Sequence, residues 1–476
     1  MTAHLLRTTA LCGILTAGAF ASPAYAQSAD EVAALRAQLA ALSARLEALE
    51  GRQAQTEATA NQAAATATEA STAVATVTET PPNFVIDDKG ITEQVVIAGE
   101  TPRSFKIPGT NTDFRITGFA KADFIYDFDQ DVGDFFVPEF IETDPAETTS
   151  DGFSFHARQS RLSFQSRTPS SLGDIRTLVE GDFVGDFVFS ETFSNSSQFR
   201  LRHAAVDIGP WKFGQFWSLF TPLEAYPSTL DFQGPAGIPF QRQVTARYTN
   251  QLTDSFTFAV AIENPETTGV QADGTGFTSS GGFAGGVEGL GFVAFDALPD
   301  FHLAGTYVND LGTFKLAGVL RELSAVDTED NVFGYGINAS ARMTPWEGGL
   351  VQLQGSFGEG IGRYIINGGG FGAFQVADGD DLESIEAYGI SASVNQKFAE
   401  NWDAQLVYGR YEVGDSDSLA FDGESLEAVQ TVHATIRYRP LANVTTWLEF
   451  IYGEREDQDG GTADAFRIQS AVQVSF

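Results

Sequence analysis

Residues 466–476 alternate one by one between apolar and polar side chains. Phenylalanine, isoleucine and valine dominate one face of the strand that this pattern predicts, and arginine, glutamine and serine dominate the other. The same two-residue period recurs over residues 430–438 and 351–357. A strand with one apolar and one polar face separates two environments. The pattern therefore restricts the fold to sheets, either a soluble sandwich or a closed barrel in a membrane.

The rest of the chain favours the membrane barrel. No apolar run reaches 18 residues, so no segment is long enough to cross a bilayer as a helix. The chain has 40 phenylalanines and 12 tyrosines, which favour strands. The two-residue period persists for about ten residues per strand, whereas a soluble sandwich would show turn signals sooner. Only helices and closed barrels satisfy all backbone hydrogen bonds in a bilayer, so a barrel remains.

The net charge narrows the range of partners. A formal charge of −35 excludes nucleic acid, because phosphate backbones bind basic surfaces. The charge does not predict a cationic substrate. Much of the acidic charge of a barrel lies in its external loops, so the sign of the total does not give the sign inside the pore.

Sixteen segments carry the strand pattern, an even number as expected for a bacterial barrel. They are residues 114–127, 155–167, 174–184, 199–208, 211–218, 242–249, 255–263, 301–309, 313–322, 332–343, 349–358, 384–396, 402–413, 428–438, 443–453 and 465–476. Residues 291–297 also resemble a strand, but a seventeenth strand would place the later short turns on the wrong side of the membrane, so we assign them to a loop. The prediction is an all-β fold, a 16-stranded antiparallel transmembrane β-barrel over residues 105–476.

Short and long connections alternate between the predicted strands. The short ones are residues 168–173, 209–210, 250–254, 344–348 and 439–442, and the long ones include 130–153 and 359–383. Short turns of outer-membrane barrels face the periplasm. We therefore expect a protein of the bacterial outer membrane with both termini in the periplasm.

Residues 1–26 are typical of a cleavable signal peptide. They contain Arg7 near the start, an apolar stretch over residues 11–20 and a small residue on either side of Tyr25. Cys12 is the only cysteine of the chain and lies in this segment, without the small residue that a lipoprotein site needs before it. We expect a mature chain from Gln27 with no disulfide, no cysteine metal site and no lipid anchor.

Residues 27–52 follow a heptad pattern that predicts a periplasmic α-helical coiled coil. Its apolar seam is Val32, Leu35, Leu39, Leu42, Leu46 and Leu49, spaced alternately three and four residues apart. Ser28 and Glu31 are placed as in a capping box at the start of the helix. Three heptads alone are marginally stable, so a lone amphipathic helix is the alternative. Residues 53–104 are predicted to be a linker.

The third long connection, residues 219–241, is rich in proline and glycine. These residues predict a rigid excursion without strands. In general porins the third loop folds into the barrel. By that resemblance, Glu224 and Asp231 are candidates to face a pore constriction, and the alternative is that both are solvated loop acids.

Arginines concentrate in the first half of the predicted barrel. Arg161 is predicted to point into the lumen because Leu162, its neighbour on the opposite face, suits lipid. Arg247 is assigned to the lumen by the same argument from Val244. Such a basic wall would draw carboxylates or phosphates. The alternative is that these arginines only form salt bridges with acids of the wall.

The alternation of faces along a strand is less decisive for three further arginines. It predicts Arg158 on the outer face, near a strand end or a subunit interface. It makes Arg200 and Arg202 lumenal only if Phe199 and Leu201 face outward.

No pattern in the sequence indicates a catalytic or metal site. Four aspartates between Asp127 and Asp134 are spaced as in a calcium loop, but Val132 and Pro138 occupy the positions of its glycine and glutamate. The five histidines are scattered, and no serine lies in a nucleophile elbow. We expect neither a metal nor a cofactor, and the sequence does not favour an enzyme.

Three stretches resemble the DcaP-like porins: FKIPGTNTDFRITGFAKAD at 105–123, ARQSRLSF at 157–164 and GQFWSLF at 214–220. The likeness extends to the terminal Phe476, which is similar to the assembly signal of bacterial outer-membrane barrels. The resemblance implies a trimer of sixteen-stranded barrels with an N-terminal periplasmic coiled coil and uptake of small anions, dicarboxylates among them. It implies an arginine-lined constriction formed here by Arg158, Arg161, Arg202, Arg242 and Arg247.

The sequence thus predicts an outer-membrane porin through which small hydrophilic solutes diffuse, with anions such as dicarboxylates preferred. Expected partners are two further copies of the chain, outer-membrane lipid and lipopolysaccharide, the barrel assembly machinery and small anionic solutes. A phosphate-selective porin is one alternative, which the scarcity of lysine disfavours. A structural anchor acting through the coiled coil is another, and the shortness of residues 27–82 disfavours it.

Overall fold

The computed structural model describes residues 97–106, 109–128, 130–143, 151–185, 195–271, 276–278, 297–324, 331–368, 372–375, 382–414 and 426–476. The predicted signal peptide and the heptad seam from Val32 to Leu49 lie outside these residues. Nearly all of the segment 291–297 and Asp129 lie outside them too. The predictions made for these parts stay predictions.

Within the described residues, sixteen antiparallel strands form a closed barrel. In chain order, β1 to β16 are Asp113–Phe128, Gly152–His156 with Arg161–Ser170, Gly173–Asp182, Arg200–Ile208, Trp211–Trp217, Arg242–Gln251, Phe256–Glu263, Asp300–Val308, Gly312–Leu323, Val332–Met343, Gly349–Glu359, Glu386–Ala399, Trp402–Val413, Leu426–Leu441, Val444–Asp457 and Thr462–Ser475. The barrel closes where β16 pairs with β1, Phe466 opposite Phe128 and Ser475 opposite Phe119. The predicted all-β, sixteen-stranded barrel is confirmed.

The two faces of the wall differ in the way the two-residue period predicts. On β9, Leu316 and Leu320 are exposed on the outer face. On β10, Ile337 is exposed on the outer face, whereas Asn338 and Ser340 are buried on the inner face. An outer face covered with leucine, isoleucine and phenylalanine suits lipid. No helix among the described residues is both long enough and apolar enough to cross a bilayer.

The two ends of the barrel carry different connections. At one end, which we call the short-turn end, the strands are joined by residues 171–172, 209–210, 252–255, 309–311, 344–348, 400–401 and 442–443. The C-terminal end of β16 lies at this end, where the backbone of Phe476 exchanges hydrogen bonds with Gly118. The long-loop end carries connections such as residues 218–241 and 360–385.

Short elements flank and connect the strands of the barrel. An N-terminal hairpin, Ile97–Ala98 paired with Phe105–Lys106, extends β1 at the short-turn end. The described parts of the longer loops contain four further short strands and three turns of 3-10 helix. These are Thr268–Gln271, Gly276–Thr278, Ala373–Gln375, Leu382–Ser384, Pro138–Phe140, Leu223–Ala225 and Gly362–Tyr364.

Candidate pore constriction

Loop 3, residues 218–241 between β5 and β6, folds into the barrel and lies against the inner wall of its second half. The backbone N–H groups of Leu230 and Asp231 donate to the Glu449 carboxylate of β15 at 2.7 and 3.0 Å. The N–H of Ala236 donates to Thr431 Oγ1 of β14 at 3.0 Å. A loop without strands must satisfy its backbone groups elsewhere, and here wall side chains supply the partners.

The wall also supplies donors to the carbonyl groups of loop 3. Gln352 and Gln354 of β11 donate through Nε2 to the carbonyl oxygens of Tyr226 at 2.7 Å and Gly237 at 3.0 Å. Lys315 Nζ of β9 donates to the carbonyl oxygen of Thr221 at 2.8 Å. The wall therefore binds the loop along much of its length.

Glycines allow the loop and the wall to approach backbone to backbone. Gly237 has a φ of +75°, and a Cβ at this position would overlap the carbonyl oxygen of Arg410. On the wall, a Cβ at Gly409 would overlap the carbonyl oxygen of Ala236. Any larger residue at these positions would push the loop off the wall.

The first residues of loop 3 are held by a buried polar cluster. The Glu263 carboxylate of β7 accepts hydrogen bonds from the N–H of Leu219 at 2.8 Å and from Gln243 Nε2 at 2.6 Å. His302 Nε2 lies 3.3 Å from the second oxygen of Glu263. The N–H of Phe240, at the other end of the loop, donates to the carbonyl oxygen of Tyr364 at 2.9 Å. Both ends of loop 3 are thereby fixed.

On the wall of the first half, facing the aromatic side chains of loop 3, lies a group of four arginines, which we call the arginine cluster: Arg161 of β2, Arg200 and Arg202 of β4, and Arg242 of β6. Arg202 donates to Glu180 at 2.9 Å and to Asp182 at 2.8 Å. Arg200 pairs with both oxygens of Asp182 at 3.1 Å. Within the described residues, two carboxylates thus face four guanidinium groups, so the cluster keeps a net positive charge.

Arg161 and Arg242 are the least satisfied members of the cluster. Arg161 lies 3.6 Å from Glu180, beyond hydrogen-bond distance. Arg242 has no ion pair among the described residues, and its Nη1 is buried without a hydrogen-bond partner. Its guanidinium lies over the rings of Trp217 and Phe240, 5.2 and 5.3 Å from their centroids. Aromatic faces hold a cation without neutralising it, so Arg242 remains available to an anion.

A cavity of about 460 Å³ lies between this part of the wall and loop 3. Arg161, Arg202 and Trp217 line it on the wall side, and residues 226–232 with Phe240 line it on the loop side. This narrow space between a basic wall and an inserted loop is the candidate constriction.

A bulge in β4 sets the direction of the Arg202 side chain. Gly181 pairs with Leu201 and Glu180 pairs with His203, so Arg202 is an extra residue on β4. Such a bulge turns Arg202 and His203 to the same inner face, where both are buried. The sequence makes Arg200 and Arg202 lumenal only if Phe199 and Leu201 face outward, and both of these residues are exposed.

The prediction that Arg158 lies on the outer face is wrong. Within β2, four residues from Ala157 to Ser160 stand opposite the three residues between Phe119 and Asp123 of β1. The extra residue reverses the parity, because a shift of one position exchanges the faces of a strand. Arg158 pairs with Asp134 and donates to the carbonyl oxygen of Gly185 at 2.9 Å.

Two other predicted residues lie outside the group that lines the cavity. Arg247 donates to the carbonyl oxygen of Trp217 and lies 3.6 Å from Glu263. Glu224 accepts a hydrogen bond of 2.6 Å from Ser340 Oγ of β10. Of the residues predicted for the constriction, the structure brings Arg161, Arg202 and Asp231 to one cavity, and Arg242 adjoins it through Trp217.

Asp231 has a different role from the pore-facing charge that the sequence suggested. Its side chain is 2% exposed and accepts hydrogen bonds from the N–H groups of Phe136 at 3.1 Å and Gln233 at 2.9 Å. Arg467 Nη1 lies 3.6 Å away. Burial raises the pKa of the Asp231 carboxyl, and nearby Arg467 opposes the shift. The carboxylate ties loop 3 to the first loop and to β16.

Sequence reasoning missed Lys121, Trp217 and the loop aromatics of the cavity. Lys121 of β1 lies on the inner face, where its Nζ is 2.9 Å from Asp123 and donates to Gln159 at 2.6 Å. The sequence signal for Lys121 was the two-residue period of β1, which places its side chain on the inner face. The aspartates compared with a calcium loop include Asp127, which pairs with Arg467 through bonds of 2.6 and 2.8 Å.

Comparison with known proteins identifies what the chain is similar to. The profile described as DcaP outer membrane protein matches residues 98–281. The crystal structure of the outer membrane channel DcaP of Acinetobacter baumannii superposes with a TM-score of 0.67 at 22% identity, covering 80% of this chain and 100% of that chain. These two matches confirm the resemblance to the DcaP-like porins, and the superposition shows a common barrel fold.

More distant barrels were also found. OmpT of Vibrio cholerae, expressed in the outer membrane, gives a TM-score of 0.49 at 11% identity, with 78% of this chain and 99% of that chain covered. An anion-selective porin from Comamonas acidovorans gives 0.47 at 10% identity, with 77% and 100% covered. Both are too remote to carry an argument. A search of curated protein sequences found no match.

Proposed function

We propose that this chain, which resembles the DcaP outer membrane proteins, forms an outer-membrane channel that favours small organic anions, with dicarboxylates as the substrate class. The observation that carries the proposal is the arginine cluster, in which four guanidinium groups face two carboxylates and Arg242 has no ion pair among the described residues.

The chemistry of the cluster supports an anion with two acidic groups. A guanidinium binds a carboxylate through two parallel hydrogen bonds, and such charge-assisted bonds are stronger than neutral ones. Arg161 and Arg242 are both incompletely satisfied; Arg161 lines the cavity, and Arg242 adjoins it through the ring of Trp217. A solute with one carboxylate at each end could engage both arginines. Arg202, held by Glu180 and Asp182, adds positive potential without offering a free donor fork.

We infer the orientation from a general property of outer-membrane barrels, whose short turns lie in the periplasm. By this inference the short-turn end, the N-terminal hairpin and the C-terminus are periplasmic. A homotrimer joined in the periplasm by the heptads of residues 27–52 is part of the proposal. Chemical cross-linking of the detergent-extracted protein would reveal it as a band of three chains, and a band of one chain would contradict it.

The test is the reversal potential of the refolded protein in a planar bilayer under a KCl gradient, repeated with added succinate or inorganic phosphate. We expect chloride to permeate better than potassium and succinate to block the chloride current. In Arg242→Gln the permeability ratio should fall by about fivefold, because a unit charge close to a passing ion contributes about 1 kcal/mol even in water. Arg161→Gln should act in the same direction.

Arg176→Gln is the matched control. Arg176 is 62% exposed and shares Asp174 with Arg167, so its removal should leave selectivity unchanged. Preference for potassium in the unmodified channel would contradict the proposal. Stronger block by phosphate than by succinate would favour a phosphate-selective channel, and absence of conductance would favour a structural anchor.

A further inference from the structure

A second basic cavity lies at the short-turn end of the same wall. It has a volume of about 510 Å³ and is separate from the candidate constriction. The charged residues that line it are Arg115, Arg167, Arg176, Lys212, Asp113 and Asp207. Thr101 of the N-terminal hairpin closes part of it. Four cations and two acids therefore line this opening.

Most of these cations are already paired. Arg167 and Arg176 contact Asp174 at 2.7 and 3.1 Å. Lys212 contacts Asp207 at 2.6 Å. Glu100 lies 3.6 Å from Arg167, so three carboxylates contact these three cations and leave little of their charge for a solute.

Asp113 is occupied as well. Its carboxylate accepts the N–H groups of Glu100 at 3.1 Å and Thr101 at 3.2 Å, which ties the N-terminal hairpin across the opening. Lys106 of the same hairpin lies 3.8 Å from it. Its hydrogen bonds go to the hairpin, and among the described residues no salt bridge joins Asp113 to Arg115, the remaining cation of the cavity.

Arg115 is the exception among the cations. Within the described part of the chain it has no ion pair, and its Nε is buried without a hydrogen-bond partner. It lies on the inner face, because its neighbour Ile116 is 47% exposed on the outer face. Gln165 stands directly opposite Arg115 in the register of β1 and β2 and lines the same cavity. A free guanidinium beside an amide group is suited to an oxyanion.

The spacing along the wall separates this place from the arginine cluster. Arg115 is four residues from Phe119 on β1, and Gln165 is four residues from Arg161 on β2, which corresponds to about 13 Å along either strand. The inward positions between them are Thr117 and Ser163, which carry no charge. An anion leaving the constriction would meet a neutral stretch and then a second cation.

We propose that Arg115 and Gln165 form a second anion subsite, at the periplasmic end of the channel, that binds one oxyanion group of a carboxylate or phosphate solute. This inference rests on the proposed function, since it requires that anions pass the channel. The subsite receives solute from the constriction and releases it to the periplasm. It also makes the two ends of the channel unequal, because an anion arriving from the periplasm meets Arg115 before the arginine cluster.

The test is the concentration of succinate that half-blocks the current when succinate is added at the short-turn end alone. The mature chain is expected to have no cysteine, so Asp459→Cys, in the turn between β15 and β16 at the opposite end, can report which chamber faces the long-loop end through a charged thiol reagent. All variants carry this substitution. A parallel series uses inorganic phosphate, which distinguishes the two sources of the oxyanion.

In Arg115→Gln we expect the half-blocking concentration from the short-turn end to rise about tenfold, since a charge-assisted hydrogen bond contributes about 1.5 kcal/mol. Block from the long-loop end should change less. Arg115→Lys should restore much of the block, and Arg410→Gln, outside this cavity and paired with Glu412 and Glu456, should leave it unchanged. Heat-modified mobility in electrophoresis verifies that each variant is folded.

The outcomes separate the two proposals. If Arg242→Gln changes selectivity but Arg115→Gln leaves block from the short-turn end unchanged, the subsite is wrong and the proposed function stands. If neither anion blocks the unmodified channel and potassium permeates better than chloride, both are wrong. A shift with succinate alone assigns the subsite to carboxylates, and a shift with both anions assigns it to oxyanions in general.

Discussion

The inner wall of the barrel has two halves that share one geometry and differ in what their side chains do. In the first half, β1 to β6, cations gather opposite loop 3, and Arg242 has no ion pair among the described residues. In the second half, side chains of the wall bind the loop backbone, among them hydroxyl and amide groups and the Glu449 carboxylate. Arg437 also serves the loop, since it pairs with Asp403 and donates to the carbonyl oxygen of Ser228 at 3.1 Å.

The difference separates holding a loop from attracting a solute. The amides and hydroxyls that hold loop 3 satisfy its buried backbone without adding a field, and the carboxylate among the anchors, Glu449, is fully buried against the loop. Guanidinium groups beside a water-filled space create an electric field that selects among the ions that pass. Each half can therefore be disturbed by itself.

The largest effect is expected from Arg202→Ala in the first half. It leaves Glu180 and the fully buried Asp182 with one fewer cation each, so we expect a loss of about 3 kcal/mol in the free energy of unfolding. Reversal potentials should also shift toward potassium. Urea unfolding of the refolded protein measures the first, and a planar bilayer the second. A loss below 1 kcal/mol would show that Arg200 and Arg161 already neutralise these acids.

Gly409→Ala tests the second half by pushing loop 3 off the wall. The added methyl group would overlap the carbonyl oxygen of Ala236, so the loop must move toward the arginine cluster. We expect lower single-channel conductance and a destabilisation of about 2 kcal/mol. Gly318→Ala is the control, because its Cβ would meet nothing nearer than the carbonyl oxygen of Gly336 at 3.6 Å. Equal behaviour of the two variants would contradict the close contact.

Glu449→Gln weakens the central anchor while keeping the size of the side chain. The carboxylate accepts the N–H groups of Leu230 and Asp231 and the hydroxyl of Thr435, and an amide cannot accept all three in the same geometry. We expect a loss of about 1.5 kcal/mol and larger current fluctuations, with ion selectivity unchanged. A change in selectivity without added fluctuation would mean that the Glu449 charge acts on the pore directly.

The same contrast explains what the sequence could predict. Strand positions and the inward direction of Arg161 follow from the two-residue period, which is local. Arg158 was assigned to the wrong face because one extra residue within β2 exchanges the two faces of the strand. No pattern in the sequence indicates this extra residue. The anchor between Glu449 and Leu230 joins residues 219 positions apart, so no local pattern indicates it.

Ser340→Ala, in the second half, should have the smallest effect and decides what Glu224 does. The serine donates to Glu224 across a partly buried contact of 2.6 Å, so its removal should cost about 1 kcal/mol or less. Ser391→Ala is the control, because Ser391 is buried on the same half of the wall and makes no hydrogen bond to loop 3 within the described residues.

Without Ser340, the Glu224 carboxylate can turn toward the lumen. We then expect a slight fall in the preference for chloride over potassium, measured as reversal potential, which the control should not show. An unchanged preference together with a lower urea midpoint would mean that Glu224 stays on the wall and holds the loop. In that case all the charge that selects ions would belong to the first half.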